Sequence, residues 1–113
     1  NVISEMTIIG DVKGKNVIIL DDMVDTAGTL TKAADIMTNA GAKSVRAIVT
    51  HPVMSDPASS RVDESILTEI IFSNSIPFNK NCKKAHVLSI ADMFADTIRR
   101  VHHGESISEQ YLI

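Results

Sequence analysis

The chain has 113 residues, of which 44% are hydrophobic and 22% are charged, a composition typical of one soluble globular domain. Its formal net charge of −3 argues against nucleic-acid and membrane partners, which usually need a basic surface. The single Cys82 cannot form an internal disulfide, which favours a reducing cytoplasm. Because the chain starts at Asn1 rather than Met, we also expect it to be a fragment.

The first half of the chain predicts a strand, a helix and a second strand. Residues 16–20 form a continuous apolar, β-branched run, which suits a strand buried on both faces. The residues that follow the spacing of one helix face are Leu30, Ala33, Ala34 and Met37. Gly41 can close this helix in the left-handed conformation, and residues 44–50 predict the second buried strand.

The second half predicts a short helix and two further strands. Asp56 offers an N-cap, and Pro57 suits the first helical position after it. Residues 67–72 and 86–90 predict the strands, and the polar stretch 74–84 between them predicts an exposed loop.

A final amphipathic helix is predicted after the fourth strand. The apolar residues expected to pack on one of its faces are Ile90, Phe94, Ile98 and Val101. Ser89 and Asp92 resemble a capping box at its start, and Gly104 ends it. Strands that alternate with helices predict an α/β fold with a mainly parallel sheet.

The segment with the clearest chemistry is residues 21–29, DDMVDTAGT, between the first strand and the first helix. Ligands of open α/β sheets bind at this kind of strand end. Thr26 and Thr29 offer hydroxyl groups, whereas Ala27 and Gly28 let the backbone approach a ligand closely. The unpaired N–H groups of the first helical turn would attract an anion. The segment is not a P-loop, since it contains no lysine.

Three carboxylates, those of Asp21, Asp22 and Asp25, would repel a phosphate unless they face another part of the ligand. Asp21 and Asp22 can accept hydrogen bonds from vicinal sugar hydroxyls, or hold a Mg²⁺ that touches those hydroxyls. A phosphate at one end and a diol at the other describe a pentose phosphate. The structural alternative is that Asp21 and Asp22 end a strand and that Asp25 or Thr26 caps the helix.

The same string resembles the phosphoribosyl pyrophosphate motif of type I phosphoribosyltransferase-like proteins. Its Asp-Thr-Ala-Gly-Thr form resembles the ribose-phosphate pyrophosphokinase family, and so do four further stretches in the same order: IIGDVKGK, THPVMSDPA, NSIP and RRVHHGESIS. The resemblance implies a three-layer phosphoribosyltransferase-like domain in which residues 1–113 are the C-terminal domain. It also implies that the N-terminal ATP-binding domain and a basic catalytic loop are absent from this chain.

The resemblance implies an enzyme that transfers the β,γ-diphosphoryl group of ATP to ribose 5-phosphate, with Mg²⁺ as cofactor. Residues 25–29 would cradle the 5-phosphate, Asp21 would bind the ribose hydroxyls, and Asp22 would assist through water or Mg²⁺. No catalytic residue is expected in this chain, which should be inactive alone. The family also implies a hexamer, and a regulatory phosphate site that includes Ser106 and Ser108.

The sequence departs from the family pattern at Asp56, where a glycine is expected, and at the ending 111–113, which is not the aromatic ending expected. Two other functions stay open: a non-catalytic synthetase-associated subunit and an ordinary phosphoribosyltransferase. Thr50 and His51 follow a predicted strand end, so they either line the site or a subunit contact, or are plain loop residues.

Overall fold

A computed structural model describes residues 6–111. The start at Asn1 and the final residues Leu112 and Ile113 lie outside that range. In chain order the elements are β1 (Asn16–Val24), α1 (Gly28–Asn39), β2 (Ser44–Pro52), α2 (Ala58–Glu64), β3 (Ile70–Ser73), β4 (Ala85–Leu88), α3 (Ala91–His102) and a 3-10 turn (Ser108–Tyr111).

The four strands form one parallel sheet in the order β1-β2-β3-β4. Leu20 of β1 lies opposite Ile48 of β2, and Ile48 lies opposite Ile71 of β3. Helix α1 connects β1 to β2, and α2 connects β2 to β3. The prediction of an α/β fold with a mainly parallel sheet is therefore confirmed.

One face of the sheet forms the core together with α1 and α2. The buried residues that face each other there are Leu30 and Ala34 of α1, Val45, Ala47 and Val49 of β2, Ala58 and Val62 of α2, and Ile70 and Phe72 of β3. Alternate strand residues point to one face, which is why Val45, Ala47 and Val49 of β2 are buried and the residues between them are not. Burial of each large side chain stabilises the fold by about 1.5–3 kcal/mol.

The opposite face of the sheet is exposed within residues 6–111. Ile18 is 57% exposed, Leu20 75% and Ile48 40%. The prediction that the first strand is buried on both faces is therefore wrong for the described chain, because α1 and α2 pack on one face only. The radius of gyration of 16.7 Å also exceeds the roughly 13 Å of a compact domain of this length.

Helix α3 forms where the pattern predicts it, but within residues 6–111 its apolar face is left exposed. It has no buried residue, and Phe94, Ile98 and Val101 are all exposed. The capping box is also wrong: Ile90 takes the N-cap position without a side-chain cap, and Ser89 Oγ accepts the N–H of Ala91 at 3.2 Å.

The C-terminal half of α3 is held by the carboxylate of Asp96. It accepts hydrogen bonds from Arg99 at 2.9 Å, Arg100 at 2.9 Å and Gln110 at 2.8 Å. The hydrogen bond from Arg99, assisted by Arg100, lowers the pKa of Asp96 below its ordinary value. Because Gln110 belongs to the final 3-10 turn, this carboxylate ties that turn back onto α3. Gly104, with φ of 67°, ends the helix as expected.

Several predicted boundaries shift. Strand β1 continues to Val24, four residues beyond the predicted end, because its last residues pair with β2 as far as Pro52. Asp56 is not an N-cap: Pro57 holds that position, and the Asp56 carboxylate instead accepts Lys80 Nζ at 3.0 Å. The peptide bond between Asp56 and Pro57 is cis.

Besides the contact of Lys80 with Asp56, two further contacts hold the largely exposed loop predicted at 74–84. The Phe78 ring packs edge-on against Phe72, with ring centroids 4.9 Å apart. Further along, Asp63 of α2 accepts the backbone N–H groups of Lys83 and Lys84, each at 3.0 Å, and the thiol of Cys82 at 3.4 Å. This second contact joins α2 to the segment that leads into β4.

Burial and hydrogen bonding shift the pKa values of Asp63 and Cys82 in this contact. Burial by itself would raise the pKa of Asp63, but the N–H groups of Lys83 and Lys84 and the Cys82 thiol together lower it below its ordinary value. Burial, assisted by the hydrogen bond to Asp63, raises the pKa of the Cys82 thiol. The contact therefore joins a carboxylate to a thiol that keeps its proton.

Replacing Asp63 by Ala should lower the free energy of unfolding by about 1–2 kcal/mol, because two N–H groups lose an ionised acceptor. Denaturant unfolding at pH 7 measures this effect. Asp35→Ala is the matched control: Asp35 is exposed on α1 and makes no hydrogen bond through its side chain within residues 6–111, so a change below about 0.5 kcal/mol is expected.

The pH dependence of the Asp63 effect has a defined sign. The folded-state pKa is lowered, so the stabilisation is complete above the unfolded-state pKa of about 3.9 and is lost as pH falls through the folded value. The difference between wild type and Asp63→Ala should therefore shrink between pH 5 and pH 2. An undiminished difference in the most acid samples would contradict the assignment.

Candidate functional site

A cavity of about 270 Å³ opens where β1 passes into α1, at the carboxyl edge of the sheet. The residues that line it are Asp21, Met23, Val24, Asp25, Thr26, Ala27, Gly28, Thr29 and Leu30. Six of the seven predicted site residues are therefore brought together, and Asp22 is not among them. Met23, Val24 and Leu30 also line the cavity, although they were not predicted as site residues.

The turn that forms the cavity depends on the conformation of Ala27. This residue is left-handed, with φ of 64° and ψ of 7°, and it occupies the N-cap position of α1. Its carbonyl accepts the N–H of Thr31 at 3.0 Å and the Thr31 hydroxyl at 2.9 Å. The backbone hydrogen bonds of the helix thus begin at the carbonyl of Ala27, and Ala27 itself is buried in the core.

The N–H groups of the first helical turn have no partner from a capping side chain. Helix α1 has no side-chain cap, and Thr31 is the first residue whose N–H finds an intrahelical acceptor. The structural alternative, in which Asp25 or Thr26 caps the helix, is therefore wrong. The N–H groups of Gly28, Thr29 and Leu30 remain at a helix N-terminus beside the cavity, where backbone dipoles favour an anion.

The neighbouring carboxylates Asp21 and Asp22 lie in β1 rather than in the loop. Asp21 pairs with Val49 of β2 and lines the cavity. Successive strand residues point to opposite faces, which explains why Asp22 does not line it. The N–H of Asp22 donates to Asp21 Oδ1 at 2.8 Å, and this bond fixes the orientation of the Asp21 side chain.

The positions of Asp21, Asp22 and Asp25 determine which of them could hold the predicted Mg²⁺. Within residues 6–111, no three acidic, histidine or cysteine side chains come together in a way that could hold a metal ion. A Mg²⁺ commonly takes one or two carboxylates and completes its shell with phosphate oxygens and water. Asp21 and Asp25 fit that kind of partial site, whereas Asp21 and Asp22 point apart and do not form a chelating pair.

A residue from outside the motif contacts the turn. Arg61 of α2 donates from Nη1 to the carbonyl of Thr26 at 2.8 Å. A Cβ atom added at Gly28 would lie 3.2 Å from the same Nη1, so glycine leaves room for the guanidinium. Arg61 was not predicted as a site residue, because it lies 35 residues from Thr26 in the sequence. The only signal that could have indicated it is general: it is a basic residue in the helix that follows the next strand.

The remaining candidates lie elsewhere. His51 pairs with Met23 at the same edge of the sheet, but its Nδ1 is hydrogen-bonded to Ser75 Oγ at 2.8 Å, and it does not line the cavity. Ser106 and Ser108 bond to each other through their hydroxyls after α3. They do not line this cavity either, and their regulatory role stays a prediction.

The parallel sheet, the left-handed turn and the open helix N-terminus define an α/β protein of the class whose ligand sites lie at strand ends. The chain belongs, more narrowly, to the phosphoribosyl synthetase family, because the model of the phosphoribosyl synthetase-associated domain matches residues 2–112. The family resemblance drawn from residues 21–29 is thereby confirmed.

Individual relatives agree with this assignment. The ribose-phosphate pyrophosphokinase of Porphyromonas gingivalis is 59% identical over 98% of this chain and 36% of its own length. The one of Wolinella succinogenes is 48% identical over 99% of this chain and 36% of its own. The crystal structure of phosphoribosylpyrophosphate synthetase from Mycobacterium smegmatis matches with a TM-score of 0.82 and 43% identity, over 85% of this chain and 33% of that one. The chain thus spans about a third of the length of these relatives.

No helix between residues 6 and 111 has both the length and the apolar content that a membrane crossing requires.

Replacing Ala27 by Val should destabilise the protein by about 2–3 kcal/mol, because a β-branched side chain at a positive φ is strained and the site is buried. Thermal and denaturant unfolding measure the loss. Ala33→Val is the control: Ala33 lies within the same helix in a right-handed conformation and is only half-buried, so a cost of a few tenths of a kcal/mol is expected. Equal costs at the two positions would contradict the role given to the Ala27 conformation.

Proposed function

We propose that this chain is the ribose 5-phosphate-binding domain of a ribose-phosphate pyrophosphokinase, which transfers diphosphate from ATP to ribose 5-phosphate. The observation that carries the proposal is the uncapped N-terminus of α1 beside a cavity that also contains Asp21. The names of the relatives support the same substrate class. Placement of the chain as the C-terminal domain is part of the proposal.

The phosphate end of the ligand would lie against residues 25–29. The N–H groups there need an acceptor, and a phosphate offers three oxygens within the reach of successive backbone amides. The hydroxyls of Thr26 and Thr29 add donors next to them. These residues bind and orient the substrate, and they take no part in proton transfer or bond formation.

The sugar end would lie toward Asp21, which belongs to β1 and lies on the strand side of the cavity. An ionised carboxylate accepts two hydrogen bonds from vicinal hydroxyls, and these bonds are stronger than those between neutral groups. Asp21 therefore selects for a diol and holds the ribose at a fixed distance from the phosphate site. Asp22 would act only indirectly, as the N–H donor that orients Asp21.

Transfer of a diphosphoryl group needs more positive charge than the lining of this cavity supplies. Among the described residues, no lysine or arginine lines the cavity, so we propose that the positive charge required by a diphosphoryl transfer comes from elsewhere. When bound, Mg²⁺ would neutralise phosphate charge, with Asp21 and Asp25 as the carboxylates available to it. We propose that ATP is bound mainly outside this chain and that the chain alone is inactive. A cytoplasmic hexamer belongs to the same proposal.

Titration of the chain with ribose 5-phosphate should move the amide NMR signals of Gly28 and Thr29, with weak affinity in roughly the millimolar range. The affinity is low because the chain provides only part of the ligand contacts. The amide of Asp35, on the outer side of α1, is an internal control that should stay in place. If no signal of the turn moves at high ligand concentration, the proposal is wrong.

Catalysis can be tested in a chimera, in which this chain replaces the matching 111 residues of the Porphyromonas gingivalis relative. Asp25→Ala should raise the KM for ribose 5-phosphate by about tenfold or more, while the KM for ATP stays within about twofold. Steady-state kinetics with each substrate varied in turn gives both values. Normal turnover together with a normal KM for the sugar phosphate would remove Asp25 from the site.

A further inference from the structure

We propose that Arg61 is a positioning residue for the phosphate-binding turn, acting through its hydrogen bond to the Thr26 carbonyl. The inference rests on the proposed function, because the role of Arg61 requires that residues 25–29 bind a phosphate. Within residues 6–111, Arg61 is the only residue from outside the turn and α1 whose side chain is hydrogen-bonded to the backbone of residues 25–29. It reaches there from α2, across the packing contact between α1 and α2.

The geometry of the peptide bond determines what this hydrogen bond does. In a trans peptide the C=O and the following N–H point in opposite directions. The peptide between Thr26 and Ala27 is trans, since Asp56–Pro57 is the only cis peptide in the described chain. When Arg61 holds the Thr26 carbonyl on the α2 side, the N–H of Ala27 is directed the opposite way. That N–H then joins those of Gly28 and Thr29 as a donor for one anion.

The left-handed conformation of Ala27 makes this arrangement sensitive. A left-handed residue beside a right-handed one brings successive N–H groups toward a common point and so forms an anion-binding concavity. A rotation of the Thr26–Ala27 peptide plane would turn one of these donors away and point a carbonyl oxygen in its place. Arg61 opposes that rotation, because the carbonyl would lose its charged donor.

Charge supports the same role. Of the residues between 6 and 111, two carboxylates, Asp21 and Asp25, line the cavity, and no basic residue does. The guanidinium of Arg61 lies immediately behind Gly28, where a Cβ would approach Nη1 to 3.2 Å. A permanent positive charge at this place offsets part of the repulsion between the acidic lining and a phosphate. Arg61 forms no ion pair within residues 6–111, so its charge is not already committed to a carboxylate.

Replacing Arg61 by Met keeps most of the side-chain length but removes the charge and the donor. In the chimera, Arg61→Met should raise the KM for ribose 5-phosphate about 10- to 100-fold, with kcat and the KM for ATP within about threefold. Arg61→Lys should recover part of the loss, because lysine restores the charge but not the planar donor group. A solely structural role would lower stability without a selective change in one KM.

Arg46→Met is the matched control. Arg46 lies near the start of β2, at the opposite edge of the sheet, and is hydrogen-bonded to Glu69 at 2.9 Å. Arg46→Met therefore removes the same guanidinium group, together with an ion pair, far from the cavity. We expect its KM values to stay within about twofold of wild type.

A binding experiment on the chain itself separates this inference from the proposed function. NMR titrations with inorganic phosphate and with ribose 5-phosphate should both weaken in Arg61→Met, by a similar factor, whereas Asp21→Asn should weaken only the sugar phosphate. If wild type binds neither ligand, the proposed function fails. If wild type binds and Arg61→Met binds equally well, only the role of Arg61 fails. Should Arg61→Met not fold, the same comparison with Arg61→Lys decides: full wild-type affinity for both ligands would overturn the role of the hydrogen-bonding geometry.

Discussion

The site depends on one backbone constraint, the left-handed conformation of Ala27 at the entrance to α1. This conformation lets β1 turn directly into the helix while the carbonyl of Ala27 opens the helix ladder. It also leaves the first N–H groups of α1 without a capping side chain. A residue other than glycine at this φ costs about 1–2 kcal/mol, so the surrounding packing has to hold it there. Burial of the Ala27 methyl group in the core, and the two hydrogen bonds from Thr31, supply part of that stabilisation.

The parallel sheet positions this turn by fixing where β1 ends. Pairing of β1 with β2 continues as far as Val24 and Pro52, and the carbonyl of Val24 also accepts the N–H of Met54 at 3.1 Å. The last residue of the strand is therefore held from the neighbouring strand and from the loop that follows it. Because α1 and α2 share the same face of the sheet, Arg61 can reach the turn without leaving its own helix. The hydrogen bonds at Val24 and the contact of Arg61 with Thr26 therefore connect the site to the rest of the fold.

Local patterns predicted the parts of the fold that depend on local spacing. The apolar run at 16–20 predicted β1, and the helical spacing from Leu30 to Met37 predicted α1. Both patterns are visible in sequence because one face of each element packs against the core. The end of β1 was not predictable, since two aspartates interrupt the apolar pattern and only pairing with β2 extends the strand. The exposure of the apolar face of α3 was not predictable either: amphipathic spacing determines which face can pack, but a packing partner has to be present.

The same distinction holds for the site. The order and types of residues 21–29 marked the phosphate-binding turn, and the structure brings six of the seven predicted site residues around one cavity. Asp22 was included because it is adjacent in sequence, and strand alternation removes it from the cavity. Arg61 could not be identified from its neighbours, because its contact with Thr26 exists only after two helices have packed on the sheet. Chemistry carried by a contiguous loop is visible in sequence, whereas a long-range hydrogen bond is not.

The uncovered face of the sheet has a consequence for how the chain behaves in water. Ile18, Leu20 and Ile48 form an exposed apolar surface on the sheet, and the outer edge of β1 pairs with no other strand of the part of the chain that the structure describes. Such a combination attracts further strands and other apolar surfaces, so a solution of the isolated domain should become more turbid as its concentration rises. Handling at low concentration, or with a mild detergent present, would then keep the 113-residue polypeptide dispersed.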